Sequence, residues 1–424
     1  MFVELINTGN ELMLGRVLNT HQQWICSQLA DAGYTVTRQI AVSDRADEIQ
    51  AAVREALCRA DLVITTGGLG PTSDDCTRDA IARLIDRPLR EDAAVLKQGA
   101  SFFALRNRPM PSITRVEAQV PEGATVFINR HGTAPGLAME IPDGKFRQSG
   151  RPTWLIMRPG PPRELKPMFS EDALPWIRRV LPLKETLVCR TVRTNGIGES
   201  VVQERITPLM QSFVKRGLEL GYCARPGQVD VRFVARGGDA VALVEDAITA
   251  FRAELEEFIY GADDDLIEQV VVGLLRSQGK TLAVAESCTG GRIANRVTNV
   301  PGASEIFNGG FVTYSNEMKV DSLGVNPSSI AQHGAVSEAV AREMAEGARV
   351  RARSDYALSV TGIAGPGGGS VEKPVGTVYI GIASANATDA VKFFNPWDRL
   401  TFKEVTAQQA LNLLRKHLLH EASV

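Results

Sequence analysis

Along residues 1–170, short apolar runs alternate with stretches of helical spacing. Residues 3–8 are an apolar run that ends at Gly9; 17–32 have helical spacing with a stop at Gly33; and 34–42 read as a strand. Residues 47–59 read as an amphipathic helix, 61–66 as a buried strand running into Gly67-Gly68-Leu69-Gly70-Pro71, and 77–85 as a further helix. Strands alternating with helices predict a parallel sheet with connections on both faces. A strand at 154–157 and the stiff loop Arg158-Pro159-Gly160-Pro161-Pro162 close this region. Residues 171–261 read as a smaller α+β segment, with strands at 186–194 and 229–235 and helices at 199–214 and 239–258. The acidic turn Asp263-Asp264-Asp265 marks the next boundary. Beyond it the α/β pattern returns, with strands at 281–285, 311–315, 356–360 and 377–383. A closing amphipathic helix at 402–419 places Phe402, Val405, Leu413 and His417 on one face. The expected fold class is therefore α/β: two parallel-sheet domains, 1–170 and 262–424, joined by a small α+β domain, 171–261.

Composition narrows the partners. The 424 residues are 44% hydrophobic and 23% charged, with a formal net charge of −2. That balance supplies no electrostatic basis for nucleic-acid or membrane binding. The start of the chain has no basic segment before its short apolar run, and no stretch approaches the ~18 apolar residues of a membrane span. Cys26, Cys58, Cys76, Cys189, Cys223 and Cys288 are scattered without a CxxC pair. Free thiols in a reducing, cytoplasmic setting are expected, with no zinc site.

The chemistry-bearing segments come next. Ala285-Glu286-Ser287-Cys288-Thr289-Gly290-Gly291 joins an apolar strand to a polar turn and a helix-like run, 292–297. A helix start offers unpaired N–H groups and partial positive charge to a phosphate or an oxyanion. Ser287 or Thr289 can equally be a plain helix cap. Downstream, 304–319 carries Ser304, Asn308-Gly309-Gly310, Tyr314 and Lys319. Residues 360–369 form a strand running into the glycine loop Thr361-Gly362-Ile363-Ala364-Gly365-Pro366-Gly367-Gly368-Gly369. Taken singly, Tyr314 reads as a half-buried strand aromatic and Lys319 as a solvated charge.

Together, AESCTGG, the GAS…F.GG.VTYSN..K stretch and VTGIAGPGGG resemble the C-terminal domain of the CinA family over residues 266–419. The resemblance implies hydrolysis of the carboxamide of nicotinamide mononucleotide to nicotinic acid mononucleotide and ammonia, without a cofactor. It makes Ser287 the nucleophile, Lys319 its base and Tyr314 an aid to proton transfer. Thr289, Gly290, Gly291, Ser304, Thr361, Gly362 and Arg399 become substrate-binding residues. A serine needs a base to become nucleophilic, and a lysine serves if burial lowers its pKa. Cys288 is the rival nucleophile, though no pKa-lowering partner stands near it in sequence. The chain departs from the family's Gly-Asp-Arg triplet and following Arg: it has Trp397-Asp398-Arg399 and then Lys403, and Lys cannot reproduce a bidentate Arg contact.

In the N-terminal region, Thr66-Gly67-Gly68-Leu69-Gly70-Pro71-Thr72-Ser73-Asp74-Asp75-Cys76-Thr77 follows a strand and opens a helix. Glycine amides of this kind cradle phosphates, and paired acids suit a divalent cation, although acids in a first turn also simply complement the helix dipole. The segment resembles the molybdopterin-binding fold in its CinA version, as do the residues around Thr8-Gly9-Asn10-Glu11, His131-Gly132-Thr133-Ala134-Pro135-Gly136 and Pro159-Gly160-Pro161-Pro162-Arg163-Glu164. At the position after Asn19-Thr20, His21 replaces the asparagine common in relatives. The resemblance implies metal-dependent hydrolysis of ADP-ribose, with Gly67, Gly68, Gly70 and Thr72 holding the nucleotide and Asp74, Asp75 and Glu11 near a divalent metal of unspecified identity. The middle segment resembles a KH-like domain but lacks a GxxG clamp with basic flanks, so RNA binding is not expected. The family resemblance implies a homodimer. Competing readings are a nucleotide- or pterin-binding module without catalysis, and an interaction protein linked to competence.

Overall fold

The computed structural model describes residues 1–421. The chain forms two compact units, one comprising Met1–Cys189 with Arg236–Gly238, the other Arg190–Ala235 and the chain from Asp239 onward.

The first unit is built on a six-stranded sheet in the order Val36–Val42, Val3–Thr8, Leu62–Thr66, Thr153–Arg158, Gly136–Ile141, Thr125–Phe127. The first four strands are parallel, and the last two join antiparallel at one edge. The two central strands, Val3–Thr8 and Leu62–Thr66, are buried along their whole length because both faces are covered. Ile6, Val63 and Leu155 meet the helices Ala46–Leu57 and Thr77–Leu84 on one face. Leu5, Ile64 and Ile156 meet the helix Thr20–Asp31 and the aromatic residues Phe169 and Trp176 on the other. That second face corrects the expected boundary at residue 170. The turn Phe169–Ala173 and the helix Leu174–Val180 bury Phe169, Trp176 and Ile177 in the first core.

The middle domain carries a four-stranded sheet, ordered Glu219–Arg225, Gln228–Arg236, Leu187–Asn195, Ile259–Ala262. Helices Glu199–Lys215 and Ala240–Leu255 accompany it, with Phe233 of the sheet edge-on to Phe251 of the second helix at 5.4 Å. Tyr260 extends this domain into the core of the next.

The C-terminal sheet is ordered Phe307–Val312, Leu282–Glu286, Tyr356–Gly362, Thr377–Ala383, Thr388–Phe394. Its first three strands are parallel; the last two form an antiparallel ribbon, so the sheet is mixed. Leu282, Val284, Leu358 and Val360 pack on the helices Ile267–Ser277, Arg292–Thr298 and Arg399–Glu421. Ala283, Ala285 and Ala357 face Val340, Met344 and Ala348 of the helix Glu338–Ala352. The small alanines let that helix lie close: a Cβ on Gly381 would stand 2.5 Å from the Ala341 carbonyl oxygen. Among the described residues no helix is long and apolar enough to cross a membrane.

Candidate active site

The strand Leu282–Glu286 delivers Ser287 at its carboxyl end, where open α/β sheets bind ligands. The Ser287 amide donates to the Val360 carbonyl at 3.0 Å, which holds the chain in register one residue beyond the strand. The chain then turns sharply. The Gly290 amide donates back to the Ser287 carbonyl at 3.1 Å, and Gly290 and Gly291 sit at φ 61° and 90°, where a side chain would be strained. The helix Arg292–Thr298 starts there, and two of its first-turn amides are already taken. The buried carboxylate of Glu286 accepts from the Ile293 amide at 3.1 Å and the Ala294 amide at 2.8 Å.

The base arrives from the next strand. Thr313 donates its amide to the Glu286 carbonyl at 2.9 Å, and the chain then leaves the sheet. Ser315 caps the helix Asn316–Leu323 by accepting from the Met318 amide at 3.2 Å, and the first turn of this helix turns Lys319 inward. Lys319 is only 2% exposed and Ser287 9%. The Lys319 Nζ lies 3.2 Å from Ser287 Oγ, 3.0 Å from the Thr313 carbonyl oxygen, and 3.4 Å from those of Tyr314 and Ser315. Burial lowers the Lys319 pKa below its ordinary value, partly offset by the neighbouring Cys288 and Glu317. A neutral amine has two N–H donors and one lone pair. In that form two of the three carbonyls take the donors and the lone pair is left for the Ser287 hydroxyl proton; in the protonated form the amine donates to Ser287 Oγ instead.

Cys288 is buried in the core beneath the turn, and burial pushes its thiol up to about 12, so it stays protonated at neutral pH. Tyr314 is placed differently from the expected proton-transfer role. Its ring is 61% exposed and its hydroxyl accepts from Arg399 Nη2 at 2.7 Å; only its backbone carbonyl reaches Lys319. Arg399 also donates from Nη1 to the Gly365 carbonyl at 2.9 Å, tying the glycine loop to Tyr314. The Thr361 hydroxyl donates to the Ala335 carbonyl at 2.7 Å. Gly362 is required by packing, since a Cβ there would stand 2.8 Å from Val378. Thr289 is fully buried and its hydroxyl has no hydrogen-bond partner. Ser304 is not brought to this place. It lies in the short helical turn Ala303–Glu305, ahead of the strand Phe307–Val312, at the opposite end of the sheet from Ser287. Lys403, unremarkable in sequence except as a departure from the family's Arg, lies against the nucleophile's turn: a Cβ on Gly290 would be 3.4 Å from its Nζ. Trp397 is exposed two residues before Arg399.

The N-terminal unit holds a pocket of about 590 Å³ at the carboxyl ends of Val3–Thr8 and Leu62–Thr66. These are the strands between which the sheet order reverses, the expected ligand position in such folds. Thr8, Gly9, Glu11, Gly67, Gly68, Gly70, Asp74 and Asp75 all line it, as does His21. Gly67 is held at φ 99° so closely on the preceding loop that a Cβ would lie 2.7 Å from the Thr8 carbonyl oxygen. The acids do not assemble as a cation cage. Asp75 Oδ2 accepts from the Thr72 amide at 3.0 Å and from its hydroxyl, bracing the turn. The Glu11 carboxylate folds over Gly9, within 2.6 Å of where a Cβ would be. Among the described residues, no three His, Cys, Asp or Glu side chains converge to hold a metal ion. Glu11, Asp74 and Asp75, the expected donor set, all act on Asp44 in this pocket but do not converge as a preformed ligand group among the described residues.

Three acids outside the expected donor set also line this pocket, Asp44, Glu117 and Glu164. Glu117, 3% exposed, has burial pushing its pKa up to about 7. Glu164 is buried with its carboxylate accepting from Asn129 Nδ2 at 2.8 Å, and burial raises its pKa as well. Glu164 stands at the end of the PGPPRE motif, which marks its segment; Glu117 sits in the irregular turn Ser112–Ala118, with no local pattern to mark it.

A buried Ser–Lys pair at a sheet's carboxyl end, carried in one chain with a switch-point pocket and a small four-stranded domain, defines a three-domain α/β protein with two candidate ligand sites. Family comparison agrees domain by domain. Residues 264–418 match the CinA C-terminal domain, 4–179 the "Probable molybdopterin binding domain", and 189–261 the "Damage-inducible protein CinA KH domain". A protein of Caldicellulosiruptor bescii is 44% identical over 422 residues, covering 99% of this chain and 100% of its own. A CinA-like protein of Gemmatimonas aurantiaca is 39% identical over 427 residues, covering 100% and 97%. The crystal structure of a competence/damage-inducible protein from Agrobacterium tumefaciens is 39% identical, covering 35% of this chain and 91% of its own, with a TM-score of 0.34. The chain belongs to the CinA family.

Proposed function

We propose that the C-terminal domain hydrolyses the carboxamide of nicotinamide mononucleotide. The observation that carries this reading is the 3.2 Å approach of the buried Lys319 amine to Ser287 Oγ. Ser287 Oγ attacks the carboxamide carbon while Lys319 takes the hydroxyl proton. The amide C–N bond then breaks, and ammonia leaves with the proton held on Lys319. Water, deprotonated by the same amine, cleaves the acyl ester to give nicotinic acid mononucleotide and restore Ser287. Lys403 and Arg399 supply cationic charge at the mouth for the substrate phosphate. The balance is one water consumed and one ammonia released, with no metal in any step.

The test is ammonia release from nicotinamide mononucleotide by the full chain. Ser287→Ala should bring release down to the uncatalysed rate while the unfolding temperature stays within a few degrees. A variant that still turns over as fast as the native protein removes Ser287 from the mechanism.

A second reading concerns the N-terminal domain, favoured by the pocket at the switch point with its glycine turn. It takes a nucleotide diphosphate of the ADP-ribose type. Glu11, Asp44, Asp74 and Asp75 share the pocket without converging on one point, so binding is the part proposed. Assay of AMP with and without added divalent ion decides whether the bound nucleotide is also cleaved.

A further inference from the structure

The floor of the N-terminal pocket carries a group that neither the glycine turn nor the family motifs account for. Glu117 is almost fully buried, yet its Oε2 has no hydrogen-bond partner. Such an orphan is rare in native proteins, and in a pocket wall it marks a partner that arrives with the ligand. The surroundings decide which form of the carboxyl is present. Thr133, from the loop before the strand Gly136–Ile141, hydrogen-bonds the carboxyl. Two further acids face it, Glu164 from the helix Pro162–Met168 and Asp75 from the glycine turn. A cation, Arg78 from the helix Thr77–Leu84, also faces it, and its buried guanidinium already pairs with Asp79 at 3.0 Å. A buried acid among acids holds its proton to higher pH than in water, and burial is the main cause of its raised pKa, about 7. A neutral carboxyl donates one hydrogen bond, here from the oxygen that lacks a partner.

We infer that Glu117 reads the ligand of this pocket by donating a hydrogen bond to a phosphoryl oxygen of a bound nucleotide diphosphate. The inference deepens the second reading above and rests on it. In its ionised form the same residue would add a negative charge beside Glu164 and repel that oxygen. Glu117 therefore also makes binding depend on its own protonation.

Calorimetric titration of the full chain with ADP-ribose tests this, because the two phosphates of that probe keep constant charge near neutral pH. Native affinity should weaken roughly 30-fold between about pH 6 and about pH 8.5, the ratio of neutral fractions for an acid titrating near 7. Glu117→Gln keeps a neutral donor of the same shape. It should bind within about threefold of the native protein at the lower pH and show no pH dependence. Glu117→Leu should bind at least about tenfold more weakly at the lower pH, with an unchanged circular dichroism spectrum, because a lost hydrogen bond to a charged oxygen has that effect. Measurable native binding that is flat with pH overturns the role of Glu117, and so does pH dependence that survives in Glu117→Gln, since Glu164 would then be its source. Full affinity in Glu117→Leu overturns it too. Absence of native binding at millimolar ADP-ribose overturns the nucleotide reading itself.

Discussion

Replacing Lys319 with Met keeps an unbranched side chain of similar volume and removes only the amine. Two effects follow, and their sizes separate them. The carbonyls of Thr313 and Tyr314 lose the Nζ donor at 3.0 and 3.4 Å, whereas the Ser315 carbonyl keeps the Lys319 backbone amide at 3.3 Å. Two lost hydrogen bonds at about 1 kcal/mol each give roughly 2 kcal/mol of destabilisation. Release of a desolvated amine from the interior offsets part of that, so the unfolding temperature should fall by a few degrees at most. Loss of the general base acts on the rate: about 10²–10⁴-fold, or roughly 3–5 kcal/mol of barrier. The variant should therefore be folded and nearly inactive in a coupled assay of ammonia release. The pH profile gives a second readout. Only the neutral amine accepts the proton, so native kcat/KM should rise with pH and level off above the lowered pKa of Lys319. The same shift affects stability. Between the lowered folded value and the ordinary lysine value the unfolded chain binds more protons than the native one. Stability should then increase with pH across that window, and the Met variant should lose this slope. A folded Lys319→Met that keeps more than about a tenth of native kcat refutes the base assignment.

Two further outcomes follow from the same geometry. Cys288→Ala should leave ammonia release within about threefold of native, and should lower stability by about 1–2 kcal/mol through the small void in the core; near-complete loss of release with the fold retained would revive the thiol as nucleophile. Excess chelator should leave the rate of ammonia release unchanged, because Lys319 generates the nucleophile without a metal; a fall that added divalent ion restores would contradict this.

Much of the scaffold is legible in the chain because its strands are short apolar runs closed by glycine turns. The strand Thr377–Ala383 and the helix Thr77–Leu84 lie within a residue of their expected limits. The edge strand of the C-terminal sheet was misplaced for a physical reason. A strand is expected over 311–315, whereas the strand is Phe307–Val312. It runs through the glycines because a Cβ at Gly310 would come within 3.0 Å of Val284 and 3.3 Å of Ala294. Because the strand ends three residues earlier than expected, residues 313–315 leave the sheet and their carbonyls surround Lys319. Ser304 belongs to the expected site only through the family resemblance, and a whole strand separates it from the carboxyl ends. Glu117 had no sequence signal because its character comes entirely from residues distant in the chain, Glu164 and Thr133 among them.

The two sites set protonation by the same physical means with opposite charge types. Neither Lys319 nor Glu117 has a histidine beside it, and in both burial is the leading cause of the shift. Desolvation disfavours the charged form of each, so Lys319 gives up its proton and Glu117 keeps its own more readily than in water. The backbone makes this possible at Lys319. Carbonyl oxygens from three successive residues accept hydrogen bonds from the amine without imposing a full counter-charge. A carboxylate in their place would hold the ammonium form and leave no lone pair for Ser287. The buried carboxylate nearest in the chain, Glu286, is instead tied to the Ile293 and Ala294 amides, so its charge is compensated by a helix start rather than by Lys319. Two amides of that helix start are thus taken by the acid that would otherwise compete for the amine, and the capping of Arg292–Thr298 and the environment of Lys319 become parts of one arrangement.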